Sequence, residues 1–214
     1  MQLIIGNKNY SSWSLRAWLL MQHFGLSFEE LHIGLNETDT LNQLQTHCPN
    51  LKVPVLVDRG LRICDSLAIC EYINEQYLES KALPSDVKQR AIMRAVCAEM
   101  HAGFLAMRAE MPMNCRRNVG RIDLSEAAKK DIARIIQLLG DSLEANAATG
   151  PYLFGKLSIA DAFYIPILSR FNSYDIATPE RVNNYQNIML SLPAYRQWLA
   201  DSMAEIAVIT EAEV

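Results

Sequence analysis

The chain has 214 residues, of which 50% are hydrophobic and 21% are charged, and this composition is ample for a buried core in one large domain or two small ones. The net charge of −4, with no block of Lys or Arg, gives no basic surface for a nucleic-acid or membrane partner, and we expect neither. The N-terminus does not resemble a secretory signal, and no apolar stretch approaches the roughly 18 residues of a membrane span.

The first part of the chain alternates short apolar runs with helical patterns. Two strands, Gln2–Gly6 and Phe28–Ile33, are predicted on either side of a helix over residues 14–24. After a connecting segment, the predicted elements are a hairpin and a helix: Val53–Val57, Leu61–Cys64 and Leu67–Tyr77. The order β-α-β, connection, β-β-α predicts an α/β layer with a mixed sheet.

The pattern changes at Lys81–Asp86, which we interpret as a linker, and no convincing strand follows it. Apolar residues at helical spacing predict one long helix from Ile92 through Met107 that stops near Pro112. Further helices are predicted over residues 128–143, from residue 158 and from residue 193, the last with proline in its first turn. We therefore divide the chain into an α/β domain at residues 1–81 and an all-helical domain at residues 86–214.

The segment Asn9–Arg16, between the first strand and the first helix, is rich in hydroxyl groups. The exposed N–H groups and dipole of a helix N-terminus favour an anion. A hydroxyl of Ser11 or Ser12 could therefore donate to a bound thiolate and hold a thiol, whose free pKa is ~8.5, in its nucleophilic form. The simpler interpretation is that a serine only caps the helix.

Two further features lie at the ends of predicted strands, Val53-Pro54 at the start of one and Asp65-Ser66 directly after the next. A cis peptide bond at Val53-Pro54 would turn the Val53 backbone groups towards a ligand, and Asp65-Ser66 opens a helix. The carboxylate of Asp65 suits an ammonium group, and the hydroxyl of Ser66 with helix N–H groups suits a carboxylate. With the serine segment, these features describe a peptide ligand with a thiol at one end and an amino-acid head at the other, which fits glutathione.

Three segments carry a family resemblance across nearly the whole chain: Tyr10–Arg16, Lys52–Leu56 and Asp65–Ile69. They are similar to the active-site, cis-proline and glutamyl-binding segments of the soluble glutathione transferase superfamily, in particular its bacterial serine-type, zeta- and theta-like members. Ser158–Asp161 also resembles the capping box of that superfamily, a structural feature. The resemblance implies a thioredoxin-like domain with a mixed sheet, a helical bundle domain and a cytoplasmic homodimer. The five cysteines, which lack CxxC or zinc spacing, are expected to be free thiols.

The resemblance also implies roles for residues. The zeta-type double serine favours Ser11 as the catalytic hydroxyl, whereas counting back from Arg16, as in theta-like enzymes, favours Ser12. The implied glutathione-binding residues are Ser11, Lys52, Val53, Pro54, Asp65 and Ser66. The implied second-substrate pocket consists of Tyr10, Trp13, His101, Phe104 and Arg108. The tryptophan at position 13 departs from the zeta pattern, where a cysteine follows the two serines, and this speaks against zeta-type isomerisation of maleylacetoacetate.

The leading hypothesis for the function is a detoxifying transferase that joins the glutathione thiolate to a small electrophile, without a metal. The alternatives are a glutathione-dependent isomerase, similar to maleylacetoacetate isomerase, or a peroxidase, which would share the serine site. A third alternative is a non-catalytic glutathione-binding or stress-response module, because the same fold serves several functions.

Overall fold

The computed structural model describes residues 1–214 and contains one four-stranded sheet with the strand order β2-β1-β3-β4. The strands are β1 (Gln2–Ile5), β2 (Glu29–His32), β3 (Val55–Asp58) and β4 (Leu61–Cys64). β1 is parallel to β2 and antiparallel to β3, which is in turn antiparallel to β4. The predicted mixed sheet of a thioredoxin-like domain is therefore confirmed.

Three helices lie along the first part of the chain: α1 (Ser12–His23), α2 (Thr40–His47) and α3 (Ser66–Tyr77). Alternate residues of β1 face opposite sides of the sheet, so Leu3 and Ile5 join the main core while Ile4 packs in a small second cluster with Val55. The sequence pattern gave no indication of α2, because this short helix has only two large apolar residues, Leu41 and Leu44, and none of its residues is fully buried.

The rest of the chain is helical, as predicted. Its elements are α4 (Val87–Ala102), α5 (Leu105–Glu110), α6 (Glu126–Ala145), α7 (Ile159–Ser173), α8 (Glu180–Ser191), α9 (Pro193–Ala204) and a 3₁₀ turn (Thr210–Ala212). α7 is buried along nearly its whole length and packs against α1, α4 and α8. One apolar cluster runs from the sheet through these helices. None of the helices combines the length and the apolar character of a membrane span.

The predicted long helix from Ile92 to Met107 is wrong, because the backbone breaks between α4 and α5. Gly103 is extended, and Phe104 has a left-handed backbone with a φ of 62°. A Cβ atom at Gly103 would lie only 2.7 Å from the Glu99 carbonyl oxygen, so this position requires glycine. The apolar spacing continues across the break because Phe104 and Met107 still reach the core. α8 was also not predicted. The division of the chain at residues 81 and 86 stays a prediction.

Candidate active site

A cavity of about 520 Å³ opens where the first turns of α1 and α3 approach the end of α4. It is lined by Tyr10, Ser11, Ser12, Trp13, Leu35, Leu44, Asn50, Leu51, Lys52, Val53, Pro54, Asp65, Ser66 and His101. The three segments that the sequence singled out therefore meet in one place. Sequence reasoning missed Leu35, Leu44, Asn50 and Leu51, which come from loops and from the unpredicted α2.

The two serines lie at the N-terminus of α1, and each has a different hydrogen-bond partner. Ser11 caps the helix, and its hydroxyl donates to the Ser14 hydroxyl at 2.7 Å, which also accepts from the Gly6 N–H at 3.1 Å. The Ser12 oxygen lies 3.5 Å from an Nη atom of Arg170, and the proton of this hydroxyl has no acceptor in the chain. The Ser12 hydroxyl can therefore donate to a ligand atom in the cavity, and the Ser11 hydroxyl can do so after rotating away from Ser14.

Three arginine side chains lie near the start of α1: Arg16 and Arg108 at the Trp13 ring, and Arg170 at the Ser12 hydroxyl. The Arg16 guanidinium is 4.2 Å from the Trp13 ring centre and has no hydrogen-bond partner, and the Arg108 guanidinium is 5.1 Å from the same ring. Burial, with repulsion from Arg108 and Arg170, lowers the pKa of Arg16 to about 9. Burial and Arg108 likewise lower the pKa of Arg170 to about 9. These groups remain cations at neutral pH and favour an anion beside the serines.

Val53-Pro54 forms the next side of the cavity, and its peptide bond is cis. The register of β3 with its neighbours begins at Val55, and the Val53 backbone N–H and C=O have no hydrogen-bond partner in the chain. These groups are free to pair with an extended ligand. Gly6 allows the close approach here, since a Cβ atom at this position would lie 2.7 Å from Leu35 and 3.2 Å from Val53.

Asp65 and Ser66, at the start of α3, also line the cavity. One carboxylate oxygen of Asp65 accepts from the N–H groups of Leu67 at 2.8 Å and Ala68 at 3.3 Å. The other oxygen lies 3.0 Å from Nε2 of His101. The Ser66 side chain is only 1% exposed and its hydroxyl has no partner. A buried hydroxyl without a partner is costly, so this group is suited to bind a ligand.

Of the five residues predicted for the second-substrate pocket, Tyr10, Trp13 and His101 line the cavity. Phe104 and Arg108 do not line it. Phe104 is turned into the core by its left-handed backbone, and Arg108 folds back to donate to the Gly103 carbonyl at 3.0 Å, behind Trp13. No group of three or more His, Cys, Asp or Glu side chains is placed to hold a metal ion.

The C-terminal segment holds the loop that leads into the serines, which the sequence did not indicate. The Glu205 carboxylate accepts from the backbone N–H groups of Lys8 at 2.6 Å and Asn9 at 2.9 Å, and it pairs with His32 at 2.9 Å. The Tyr10 hydroxyl bonds to Glu213 and accepts from Arg116 at 3.0 Å. Residues from opposite ends of the chain thus fix one wall of the cavity.

Replacing Glu205 by glutamine is expected to flatten the acid dependence of stability. Burial raises the pKa of Glu205, but hydrogen bonds from His32 and from the Asn9 and Lys8 N–H groups outweigh it and leave the pKa below the ordinary 4.5. A carboxylate whose pKa is lower in the folded than in the unfolded protein stabilises the fold at pH values above its unfolded pKa. This contribution is lost as the pH falls through the folded pKa. Urea midpoints measured down to about pH 3 should therefore fall less in Glu205→Gln than in the parent. Parallel pH profiles would contradict this assignment.

Two parts of the chain match profiles of known protein families. Residues 10–76 match the profile described as glutathione S-transferase, N-terminal domain, and residues 123–201 match that of glutathione S-transferase, C-terminal domain. The chain belongs to the glutathione S-transferase family.

Relatives of this glutathione S-transferase carry two kinds of name. It is 26% identical to maleylacetoacetate isomerase from Mus musculus over 191 residues, covering 86% of this chain and 85% of the relative. It is 29% identical to the probable glutathione S-transferase MSR-1 from Nicotiana plumbaginifolia over 169 residues, which cover 77% of this chain and 71% of that relative. Its fold matches that of a glutathione transferase homolog from Burkholderia, solved with bound glutathione, with a TM-score of 0.73 and 23% sequence identity. The match covers 95% of this chain and 98% of that structure.

Proposed function

We propose that this glutathione S-transferase binds glutathione in the 520 Å³ cavity and joins its thiolate to a small electrophile. The observation that carries the proposal is the unpartnered, buried Ser66 hydroxyl at the N-terminus of α3, which shares the cavity with the paired serines of α1. Two helix N-termini thus bound one cavity, and each favours a negative group. Glutathione carries a carboxylate and a thiol on one extended peptide, so it offers one acidic group to each helix N-terminus.

In this arrangement each part of the ligand has a chemically suited partner. The Ser66 hydroxyl and the first N–H groups of α3 would receive the γ-glutamyl carboxylate, and Asp65 would receive the ammonium group beside it. The free N–H and C=O of Val53 would pair with the cysteinyl residue, as in an added strand. Lys52, exposed at the cavity rim, would meet the remaining carboxylate.

The chemical step requires the sulfur to be ionised. The Ser11 and Ser12 hydroxyls, the dipole of α1 and the cations around Trp13 all stabilise a negative sulfur, so they lower the free energy of the thiolate relative to the thiol. The thiolate lone pair then forms a bond to an electrophilic carbon, and either a leaving group departs with its electron pair or the adjacent atom takes up a proton. Holding both reactants in one cavity supplies the proximity contribution.

A glutathione-dependent isomerase is the second candidate. It is favoured by the relatives named maleylacetoacetate isomerase and by the guanidinium groups near Trp13, which suit an anionic substrate. Conjugation consumes glutathione, whereas isomerisation returns it after each turnover. Titrating free thiol during reaction with an electrophile panel and with unsaturated keto acids therefore separates the two functions.

Titration calorimetry with glutathione tests the binding proposal directly. We expect the parent protein to take up one equivalent per chain. The Ser66→Ala variant should raise the dissociation constant roughly 10- to 100-fold, because a hydrogen bond to a charged ligand group is lost from a buried site. Ser191→Ala, which removes an exposed hydroxyl on α8, is the matched control and should bind like the parent. If the folded parent protein takes up no glutathione, the proposed function is wrong.

We further propose that the enzyme is a cytoplasmic homodimer. All five cysteines are free thiols, which suits a reducing compartment. Leu61 on the sheet-edge strand β4 is 51% exposed, and Val87 and Ile92 on α4 are 65% and 51% exposed, so apolar surface is available for a partner chain. Light scattering after size exclusion should give twice the chain mass of 24.2 kDa.

A further inference from the structure

We propose that His101 is a positioning residue of the glutathione site, which holds the Asp65 carboxylate so that its remaining acceptor faces the ligand ammonium group. This inference rests on the proposed function and adds to it a residue from the helical half of the chain. The sequence had suggested His101 only for the second-substrate pocket. The structure instead places its Nε2 atom 3.0 Å from Asp65, at the glutamyl end of the cavity.

The carboxylate of Asp65 has few acceptor positions left once its contacts within the chain are counted. A carboxylate has about four lone-pair positions. The Oδ1 atom of Asp65 accepts from two N–H groups at the start of α3, and Oδ2 accepts from His101. One position on Oδ2 therefore remains for a ligand. The Asp65 side chain is 43% exposed, so this position is open to the cavity.

His101 is well placed to fix that oxygen because its own ring is held on several sides. It lies in the last turn of α4, immediately before the break at Gly103. Its ring meets the Trp13 ring edge-on at 5.1 Å and lies 6.1 Å from Phe163. Its Nδ1 atom is buried and has no partner, so Nε2 carries the proton and donates to Asp65. The rigid imidazole thus prevents rotation of the Asp65 carboxylate about its χ2 angle.

The specific consequence concerns ligand selection. If His101 acts by orienting Asp65, it strengthens binding only of ligands that carry the α-ammonium group. A residue that merely supports the cavity wall would affect all ligands of this shape equally. Discrimination between glutathione and its deamino analogue, in which the γ-glutamyl ammonium is replaced by hydrogen, therefore reports on the positioning role and not on general structure.

The experiment measures dissociation constants of both ligands by calorimetry in the full chain. His101→Phe keeps a ring against Trp13 but removes the donor, and His101→Gln keeps a donor without the ring. We expect the parent to prefer glutathione over the deamino analogue. In His101→Phe the affinity for glutathione should fall about tenfold while that for the analogue is unchanged, and His101→Gln should restore part of the preference. Asp65→Asn should also abolish the preference.

The outcomes separate this inference from the proposed function. If the parent binds glutathione and prefers it, but both His101 variants keep the full preference, His101 has no positioning role and the proposed function stands. Equal weakening of both ligands in His101→Phe would likewise overturn the inference, because it indicates a structural role only. If the parent binds neither ligand, the proposed function itself has failed. Circular dichroism of each variant excludes unfolding as the cause of a change.

Discussion

Replacing both Ser11 and Ser12 by alanine is expected to lower kcat/KM with an electrophilic substrate by about 10²- to 10³-fold, the range seen when a preorganised donor to a developing anion is removed. The backbone of α1 and its dipole remain in the variant, so glutathione should still bind. What is lost is the pair of hydroxyl donors beside the sulfur. The pKa of the bound thiol should therefore rise, and the rate should reach its plateau at a higher pH than in the parent.

The resting hydrogen bonds explain why both hydroxyls are expected to contribute. Hydroxyl groups rotate, so on thiolate binding Ser14 can donate to Ser11 while Ser11 donates to the sulfur. The Gly6 N–H still donates to Ser14 in that arrangement, and no hydrogen bond within the chain is lost. Ser12 has a free proton already, and its contact with the Arg170 guanidinium makes the hydroxyl a better donor. Single alanine variants should accordingly show smaller losses than the double variant.

The effect of the serines on stability must be separated from their effect on catalysis. Ser11 also caps α1, and loss of this cap should cost about 1 kcal/mol of stability. Ser125→Ala is the matched control, since Ser125 caps α6 by accepting from the Ala128 N–H at 3.2 Å and does not line the cavity. It should lower the unfolding midpoint by a similar amount without changing kcat/KM. Full turnover in the Ser11→Ala/Ser12→Ala variant, with an unchanged pH profile, would remove both serines from the mechanism.

The parts of the structure that the sequence predicted are those determined by local periodicity. Strands such as Gln2–Ile5 alternate apolar residues between two faces, and helices such as Glu126–Ala145 carry a continuous apolar stripe, so both patterns are visible within one short window. The candidate site was also predictable in outline, because each of its segments lies beside a boundary of a predicted element. Ser11 precedes the first helix, Val53-Pro54 begins a strand, and Asp65-Ser66 follows one. The structure brings these positions together in one cavity.

The unpredicted features depend on contacts between distant residues or on positions without a pattern. The pairs Asp65–His101 and Lys8–Glu205 join residues 36 and 197 positions apart, and no local rule indicates which polar residues will meet. The helix break at Gly103-Phe104 is concealed because both flanking helices contribute apolar residues to the same core at the same spacing. These contacts set the geometry of the cavity walls, so the arrangement of the site required the three-dimensional structure.

The Asp161→Ala variant should show the largest loss of stability, at least 3 kcal/mol. Asp161 is fully buried in the capping box at the start of α7. Its carboxylate accepts from the Leu153 N–H at 3.1 Å, from the N–H and hydroxyl of Ser158 at 2.8 Å each, and from the Tyr185 hydroxyl at 2.8 Å. Burial raises the pKa of this carboxyl, while those hydrogen bonds act in the opposite direction. Alanine would leave four donors without an acceptor in the interior.

This loss should appear as a large decrease in the urea midpoint or as failure to fold, and not as a change in chemistry. Asp86→Ala is the matched control, because Asp86 caps α4 through the Lys88 and Gln89 N–H groups but lies at an exposed position, and it should cost only about 1 kcal/mol. Any folded Asp161→Ala protein should retain the parent KM for glutathione, since Asp161 does not line the cavity. A midpoint close to that of Asp86→Ala would show that water or rearrangement satisfies these donors, and that α7 is not anchored by this carboxylate.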